Sequence, residues 1–509
     1  MYRILFSMIR RLAPLAVVAT VVLVAIAGCT DSKATPPSAD APATAPTRSP
    51  LEARVVTGLR PKIAITGEAP VRWMLAERMA HYHVPAVSIA VIDSGRVAWA
   101  AAFGLKQVGG TDSVTPETMF EAGSVSKPTF DVGVMRLVQD GRLSLDDNVN
   151  DKLQSWKVPD NKFTTHEKVT LRRIMSHNAG LTVHGFPGYE AGAPVPTVLQ
   201  VLNGEKPANT APVRVDTIPG AISRYSGGGL TVAMLLVTDV TKQPLPAFMR
   251  LTVFDPIGMT HSTYEQPLPP SLAPNAASGH TITGNAIPGK YHTYPEMSAA
   301  GLWSTPTDLA KLAIELQRAY TGRSRTVLDQ STVREMFTVQ KPPFGLGYVI
   351  DGSGPAVEFS HSGDDAGFKA ITVAFAERGQ GAVIMSNGDL GDALMQEILT
   401  SIAGEYNWPT HRQAEKRPVP RDSASLAAFV GTYRFEVGMP TPMLDTVTLE
   451  HGKLFMRSGE MINKVEILAD TDATFYDRWD GTKILFDRDK KGHVVGMTVP
   501  GEVSGPKVQ

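Results

Sequence analysis

Apolar and polar positions along the chain predict a block of helices between two sets of strands. The segment "VRWMLAERMAHY" has apolar residues at helical spacing, and "VSIAVIDSGRVAWAAAF" alternates as two strands joined by a tight turn. Strands are predicted again in "FGLGYVI", "AVEFSHS", "KAITVAFAE" and "GAVIMSN". Helices are predicted over residues 124–140, 230–241, 306–320 and 392–406. Strands at both ends with helices between them favour an α+β fold.

The last part of the chain has a different pattern. Between residues 407 and 421 the sequence is polar and contains prolines, which indicates a linker. From 422 to 503, short alternating segments are separated at regular intervals by turn residues such as Asp480-Gly481 and Lys491-Gly492. This pattern predicts a small antiparallel meander or barrel. A Ser-x-x-Lys spacing at Ser504 and Lys507 lies past its last predicted strand and is interpreted as accidental.

Composition is that of a globular protein large enough for more than one core. The chain has 509 residues, of which 43% are hydrophobic and 19% charged. Its 49 basic and 50 acidic residues give a formal charge of -1, and no basic block is present that could neutralise a phosphate backbone. We therefore expect no nucleic-acid partner.

The N-terminus has the layout of a secretory signal. Three arginines precede the apolar run 12–28, which ends in "AIAGCT" with the single cysteine of the chain, Cys29. A transmembrane anchor is the alternative, but Pro14 interrupts a run that is already short. The tetrapeptide ending at Cys29 resembles the lipobox of bacterial lipoproteins. That resemblance implies cleavage after residue 28, acylation of Cys29 and a lipid-anchored protein at the bacterial cell envelope.

A tether follows the predicted signal peptide. The segment "DSKATPPSADAPATAPTRSP" is rich in Ala, Pro, Ser and Thr and lacks large apolar side chains, so it favours disorder. The lone cysteine leaves the folded part without a disulfide. The predicted boundaries are a signal peptide over 1–28, a tether over 29–66, a main domain over 67–406, a linker over 407–421 and a C-terminal domain over 422–503.

Candidate chemistry begins in "FEAGSVSKPTF", where Ser124 and Lys127 are one helical turn apart in an apolar stretch. A helix N-terminus favours developing negative charge on the serine, and a lysine removed from water can accept its proton. The alternative is an N-cap serine followed by a solvated lysine. The spacing by itself does not decide between these interpretations.

Two further segments add candidate residues. In "SRYSGGGLTVAML", Tyr225 precedes a glycine-rich turn that opens a helix and could transfer a proton; a half-buried structural tyrosine is the alternative. In "FSHSGDDAGFKAITVAF", His361 and Gly363 end one strand, where a free backbone N–H could face an oxyanion. Gly-x-Ser-x-Gly, His-Glu-x-x-His and the phosphate-binding loop motif are all absent from the sequence.

Six segments in order resemble serine hydrolases related to class C β-lactamases and penicillin-binding carboxypeptidases: "FEAGSVSK", "VTLRRIMSHNAGL", "RYSGGG", "FDPIGMTHST", "AAGLWSTPTDLAK" and "HSGDDAGF". The resemblance spans about residues 70 to 405 and implies an antiparallel sheet flanked by helices with an inserted helical lobe. It implies that Ser124 is acylated, that Lys127 and Tyr225 relay protons, and that the Ser124 and Asp364 amides form the oxyanion hole. No metal or organic cofactor is implied. The tail from 422 resembles a lipocalin-like barrel.

Two departures from the family pattern bear on the substrate. Tyr225-Ser226-Gly227 stands where relatives commonly have Tyr-x-Asn, and His361-Ser362-Gly363 replaces the Lys-Thr-Gly of β-lactamases. A neutral imidazole attracts a substrate carboxylate less than an ammonium does. We therefore expect an esterase or D-amino-acid peptidase, acting on a small molecule or peptide, rather than an efficient β-lactamase. A catalytically weak envelope protein that binds peptidoglycan-like ligands is the alternative.

Overall fold

The computed structural model describes residues 49–436, 442–459, 464–501 and 503–508. The predicted signal peptide and Cys29 lie outside these residues. Within them the chain divides into two compact units. A catalytic unit comprises residues 50–62 and 70–413, and a C-terminal unit comprises 63–69 and the residues from 414 onwards.

Helices make up much of the catalytic unit. Their bounds in the described residues, with the single short helix of the C-terminal unit last, are α1 (Pro50–Val56), α2 (Leu75–His81), α3 (Ser126–Gln139), α4 (Val149–Lys152), α5 (Leu171–Met175), α6 (Val198–Asn203), α7 (Gly227–Thr241), α8 (Leu245–Met249), α9 (Asp255–Ile257), α10 (Met297–Ala300), α11 (Pro306–Tyr320), α12 (Gln330–Phe337), α13 (Gly391–Glu405) and α14 (Ser423–Ala427).

Strands occur in both units. Their bounds are β1 (Ile63–Ile65), β2 (Ala86–Asp93), β3 (Arg96–Gly104), β4 (Phe120–Glu121), β5 (Trp303–Ser304), β6 (Val349–Asp351), β7 (Glu358–Asp365), β8 (Phe368–Phe375), β9 (Gly381–Ser386), β10 (Ala414–Lys416), β11 (Gly431–Phe435), β12 (Met443–Glu450), β13 (Lys453–Ser458), β14 (Val465–Ala469), β15 (Thr474–Asp477), β16 (Lys483–Arg488), β17 (Val494–Val499) and β18 (Val503–Pro506).

A six-stranded antiparallel sheet in the order β3-β2-β9-β8-β7-β6 forms the centre of the catalytic unit. Both of its faces are covered, so strand β2 is apolar at successive positions rather than at alternate ones. Ile89 and Val91 pack in a cluster with α13, whereas Ala90 and Ile92 pack in the larger cluster that contains α11 and the helical lobe. This arrangement matches the predicted α+β fold.

The C-terminal unit is an antiparallel meander in which β11 to β18 pair in sequence order. An antiparallel bridge between Tyr433 and Lys507 joins the first strand to the residue after the last, so the barrel is nearly closed. Its interior is filled by a cluster that includes Phe429, Phe475 and Phe486. The predicted small barrel is therefore present. Ser504, however, lies within β18 opposite Thr498, and not past the last strand as expected.

Parts of the predicted tether and linker are ordered. Residues 29–66 were expected to be disordered, but α1 buries Val55 and Val56 within the catalytic unit, and residues 63–65 form strand β1. Strand β1 pairs in parallel with β10, which lies inside the predicted linker 407–421. Trp408, also in that linker, is fully buried against Phe375. These segments are mostly polar, so their few apolar residues formed no pattern from which the anchoring contacts could be predicted.

Candidate active site

Ser124 lies in a short 3-10 turn, Gly123–Val125, that leads directly into α3. Ser126 stabilises the turn, since its hydroxyl donates to the Gly123 carbonyl at 2.5 Å and accepts from the Leu302 amide at 3.0 Å. Helix α3 is buried on nearly all sides, so its first turn has a fixed orientation. Ser124 itself remains partly exposed, as a nucleophile must be.

Lys127 lies one turn after Ser124 and is 2% exposed. Its Nζ donates to the Ser124 Oγ at 2.8 Å and to the Ala299 carbonyl oxygen at 2.6 Å. Burial lowers the pKa of Lys127 to about 7, although the nearby carboxyls of Asp365 and Asp131 favour the charged form. The lysine of "SVSK" is therefore not solvated, and its amine can be neutral near physiological pH.

Tyr225 is held immediately before α7. The next residue, Ser226, caps this helix by accepting from the Gly229 amide at 2.9 Å and donates its hydroxyl to the Thr182 carbonyl at 2.8 Å. The Tyr225 ring is largely buried, and its centroid is 4.9 Å from the Lys127 Nζ. The structure thus brings together the serine, lysine and tyrosine that the sequence pattern singled out.

Three histidines surround the Tyr225 ring. The ring centroids of His177, His184 and His361 are 4.2, 4.9 and 6.2 Å from that of Tyr225. Burial and the Lys127 charge lower the pKa of all three, in the case of His361 to about 3. At neutral pH these imidazoles are uncharged, so they surround the tyrosine without adding positive charge.

His361, a predicted substrate-binding residue, is 3% exposed. Its Nδ1 contacts the Ser362 carbonyl at 2.6 Å, which places the proton on Nδ1, and its Nε2 is buried without a hydrogen-bond partner among the described residues. The expected weak attraction for a carboxylate is in keeping with this neutral ring.

Gly363 and Asp364 lie near the end of β7, against the turn that carries Ser124. A Cβ on Gly363 would be 1.9 Å from the Ala122 carbonyl oxygen, and one on Gly123 would be 2.3 Å from the Asp364 amide nitrogen. A side chain at position 363 is therefore excluded by contact with the chain itself. Because these two stretches of chain are in contact, the backbone amides of Ser124 and Asp364 belong to segments that are neighbours in space.

The Asp364 side chain is paired with Lys369, the residue opposite it on β8. Lys369 is 1% exposed, and its Nζ is also 3.5 Å from a carboxylate oxygen of Asp389. These acids, with Asp392, raise the pKa of Lys369 and keep it charged. The ion pair immobilises the strand end that carries the Asp364 amide.

His177 and His184 are the residues that sequence reasoning missed. His177 packs against Tyr225 and accepts a hydrogen bond on Nδ1 from the Ser226 amide at 3.2 Å. It adopts a positive φ of 54°, which no local pattern in "SHNAGL" indicates. Trp303 is fully buried. The described residues hold no cluster of metal-binding side chains.

Comparison with known proteins identifies the family. Residues 71–405 match the family model described as Beta-lactamase, and residues 415–508 match a model described as a domain of unknown function, DUF3471. The fold and site define a serine hydrolase of the penicillin-binding-protein-like class. The chain belongs to the β-lactamase family, as the resemblance of its six segments implied.

Two curated relatives and two solved structures illustrate the similarity. Protein flp of Staphylococcus aureus (strain MRSA252) is 21% identical over 74% of both chains, and the unguisins hydrolase ungD' of Aspergillus campestris is 29% identical over 48% of this chain and 46% of its own. The octameric penicillin-binding protein homologue from Pyrococcus abyssi aligns with a TM-score of 0.58 and 20% identity over 85% of this chain and 98% of its own. D-amino acid amidase from Ochrobactrum anthropi SV3 aligns with a TM-score of 0.52 and 20% identity over 65% of this chain and 98% of its own.

Proposed function

We propose that this serine hydrolase cleaves ester or amide bonds through an acyl-enzyme on Ser124. The observation that carries the proposal is the contact of 2.8 Å between the Lys127 Nζ and the Ser124 Oγ, made by an amine whose pKa burial lowers to about 7. A neutral amine at this distance is a general base for the serine, and such help is typically worth ~10² to 10⁴ in rate.

The steps follow from the positions of these groups. The neutral Lys127 Nζ takes the proton of Ser124 as Oγ attacks the substrate carbonyl carbon and its π electrons move to oxygen. The Ser124 and Asp364 amides stabilise that oxyanion, each donor contributing about 3 to 4 kcal/mol. The leaving group receives a proton through Tyr225 as its bond to carbon breaks. A water molecule then gives up a proton to Lys127 as it attacks the acyl carbon. The bond between that carbon and the Ser124 Oγ breaks, Oγ takes the proton, and the acid product leaves.

The substrate class follows from the charges around Tyr225. The three neighbouring histidines are neutral at pH 7 and add no positive charge that could attract a substrate carboxylate. The position that relatives fill with an amide side chain is Gly227, which has none. We therefore assign acyl groups that carry no carboxylate, as in esters or D-amino-acid amides and peptides, in preference to efficient β-lactam hydrolysis. The likeness to a D-amino acid amidase agrees with this class.

Ser124→Ala tests the proposal. We expect loss of activated-ester and D-amino-acid-amide turnover by about 10³-fold or more, because the nucleophile is removed. Mass spectrometry after incubation with a fluorescent penicillin or an activated ester should locate the adduct on Ser124. Ser504→Ala, which removes the serine of the second Ser-x-x-Lys spacing, is the matched control and should retain activity. Absence of both adduct and turnover in the unmodified protein would favour the envelope-binding alternative.

We also propose that the protein is exported and anchored to the cell envelope by a lipid on Cys29. The support is the arginine-led apolar run that ends in "AIAGCT". In the described part of the chain, no helix is both long and apolar enough to cross a bilayer. Metabolic labelling with a fatty acid should mark the full chain, and Cys29→Ser should abolish that label. Labelling of the Cys29→Ser variant would contradict the assignment.

A further inference from the structure

Two buried carboxyl groups lie beside the backbone amides of the proposed oxyanion hole. Glu121 belongs to β4 and precedes the turn that carries Ser124, whereas Asp365 follows Asp364 at the end of β7. Glu121 is 1% exposed and Asp365 is 2% exposed. The proposed mechanism uses neither side chain, although each is attached to one wall of the hole.

The chain segments next to the two acids are in direct contact, because Gly123 approaches the Asp364 amide and Gly363 approaches the Ala122 carbonyl oxygen. Glu121 lies opposite Trp303 in the β4–β5 pair, and Asp365 lies opposite Phe368 in the β7–β8 pair. The rings of Trp303 and Phe368 pack edge to face with centroids 5.8 Å apart. The Asp365 charge raises the pKa of the Glu121 carboxyl, in addition to the effect of burial.

None of the four carboxyl oxygens of Glu121 and Asp365 has a hydrogen bond of normal geometry to another described residue. Two adjacent carboxylates in an apolar interior repel each other and lose their hydration, so they cannot both be ionised at moderate pH. Burial raises the pKa of both groups, and the Asp365 charge raises that of Glu121 further. The stable arrangement holds one proton between them.

We propose that Glu121 and Asp365 share one proton in a carboxyl–carboxylate hydrogen bond that holds the Ser124 turn against the Asp364 strand end. This pair is called the acid clamp below. It makes both acids positioning residues, because the separation of the Ser124 and Asp364 amides depends on it. The inference rests on the proposed acyl-enzyme function, in which those amides receive the oxyanion.

The charged and titratable groups around the acid clamp set its pH dependence. Those that act on Glu121 or Asp365 are Lys127 on α3, Asp364 on β7, Lys369 on β8, and the phenols Tyr291 and Tyr294 before α10. The two lysines stabilise one negative charge on the clamp, whereas Asp364 opposes it. Loss of the shared proton at alkaline pH adds a second negative charge, so the clamp separates and the hole loses its geometry.

The test is the pH dependence of kcat and kcat/KM in Asp365→Asn and Glu121→Gln. Each amide can donate to the remaining carboxylate without a shared proton. We expect the activity of each variant at neutral pH to be within several-fold of that of the unmodified enzyme. The pH at which activity declines on the alkaline side should rise by one unit or more. The double change to leucine removes the clamp and should lower kcat by about 10- to 100-fold with KM nearly unchanged, as for a weakened oxyanion donor.

Glu358→Gln is the matched control. Glu358 is a buried acid at the other end of β7 and accepts hydrogen bonds from Thr410 and His411. Loss of the Glu358 carboxylate should lower the free energy of unfolding without changing the pH dependence of kcat or kcat/KM. Infrared spectra in the Ser124→Ala background offer a second measurement that needs no activity: the Asp365→Asn change should remove a protonated-carboxyl band at neutral pH.

The outcomes separate the two proposals. If Ser124→Ala abolishes turnover but neither amide substitution moves the alkaline decline, the hydrolase assignment stands and the acid clamp is wrong. The same conclusion follows if the unmodified enzyme shows no alkaline decline or if the infrared band persists in Asp365→Asn. If Ser124→Ala retains turnover, the oxyanion hole is misplaced and both proposals fail.

Discussion

At the scale of single residues, the reactivity of the site depends on two opposing effects on the pKa of Lys127. Burial of the ammonium lowers its pKa, whereas the negative charges of Asp131 and Asp365 raise it, and burial is the larger effect. Asp131 lies one turn further along α3 and is fully buried. The amine therefore titrates near neutral pH, where a general base, the role proposed for Lys127, is most effective.

The pH dependence of catalysis follows from this residue. Because the neutral amine is the active form, kcat/KM should rise with pH through about 7. Two units below that pKa, roughly one hundredth of Lys127 is uncharged, so we expect activity there about 100-fold below the plateau. Lys127→Arg should be inactive across the range, since a guanidinium stays protonated. A flat profile between pH 5 and 8, or an active arginine variant, would contradict the role given to Lys127.

At the scale of elements, the N-terminus of α7 connects the proposed proton relay to the fold. Ser226 caps the helix and also bonds to the Thr182 carbonyl, while its amide donates to His177. Three glycines follow, and a Cβ at Gly228 would be 2.7 Å from the Thr182 carbonyl oxygen. The glycine-rich turn thus lets the helix end approach the neighbouring loop, which positions Tyr225.

Ser226→Ala is therefore expected to affect both stability and catalysis. Loss of an N-cap costs about 0.5–2 kcal/mol of unfolding free energy, measured by urea denaturation. Because Tyr225 adjoins the cap, kcat should also fall by several-fold. Thr197→Ala removes the N-cap hydroxyl of α6, which accepts from the Gln200 amide at 3.3 Å, and serves as the control. It should lower stability by a similar amount and leave kcat unchanged; equal effects of both variants on kcat would refute the argument.

At the scale of the whole molecule, the chain has separate cores in its two units. The catalytic unit contains two apolar clusters on the two faces of its sheet, and the C-terminal barrel contains another. Both units are discontinuous in sequence, because β1 lies between the two segments of the catalytic unit, 50–62 and 70–413, and pairs with β10, which follows the second segment. Within the described residues the chain therefore passes from one unit to the other at 62–63, 69–70 and 413–414.

Phe475→Ala tests whether the barrel core is energetically separate. Phe475 is fully buried between Phe429 and Phe486, and its truncation should cost the barrel about 3–5 kcal/mol. Calorimetry of the full chain should show one thermal transition lowered and the other unchanged, with ester hydrolysis at 25 °C intact. A single transition that shifts as a whole, accompanied by loss of activity, would show that the units unfold together.

Local patterns in the sequence determined the elements and the family. Helix α11 begins at Pro306 and ends at Tyr320 as predicted, because a cap, a first-turn proline and apolar spacing all act within one segment. Ser124 and Lys127 were identifiable because their neighbours along the chain form a motif. The sequence over 344–350 also predicts a strand, yet the strand begins only at Val349. Phe344 forms isolated bridges, and Gly345 approaches the end of α12 instead.

Tertiary structure decided what depends on segments far apart in the chain. The burial of Lys127, the neutrality of His361 and the positions of His177 and His184 around Tyr225 arise from packing between loops, and no local pattern encodes such contacts. The pairing of Glu121 with Asp365 likewise requires β4 to lie against the end of β7. The sequence by itself thus determined which chemical groups the site contains, whereas the fold decided their solvation and therefore their charge.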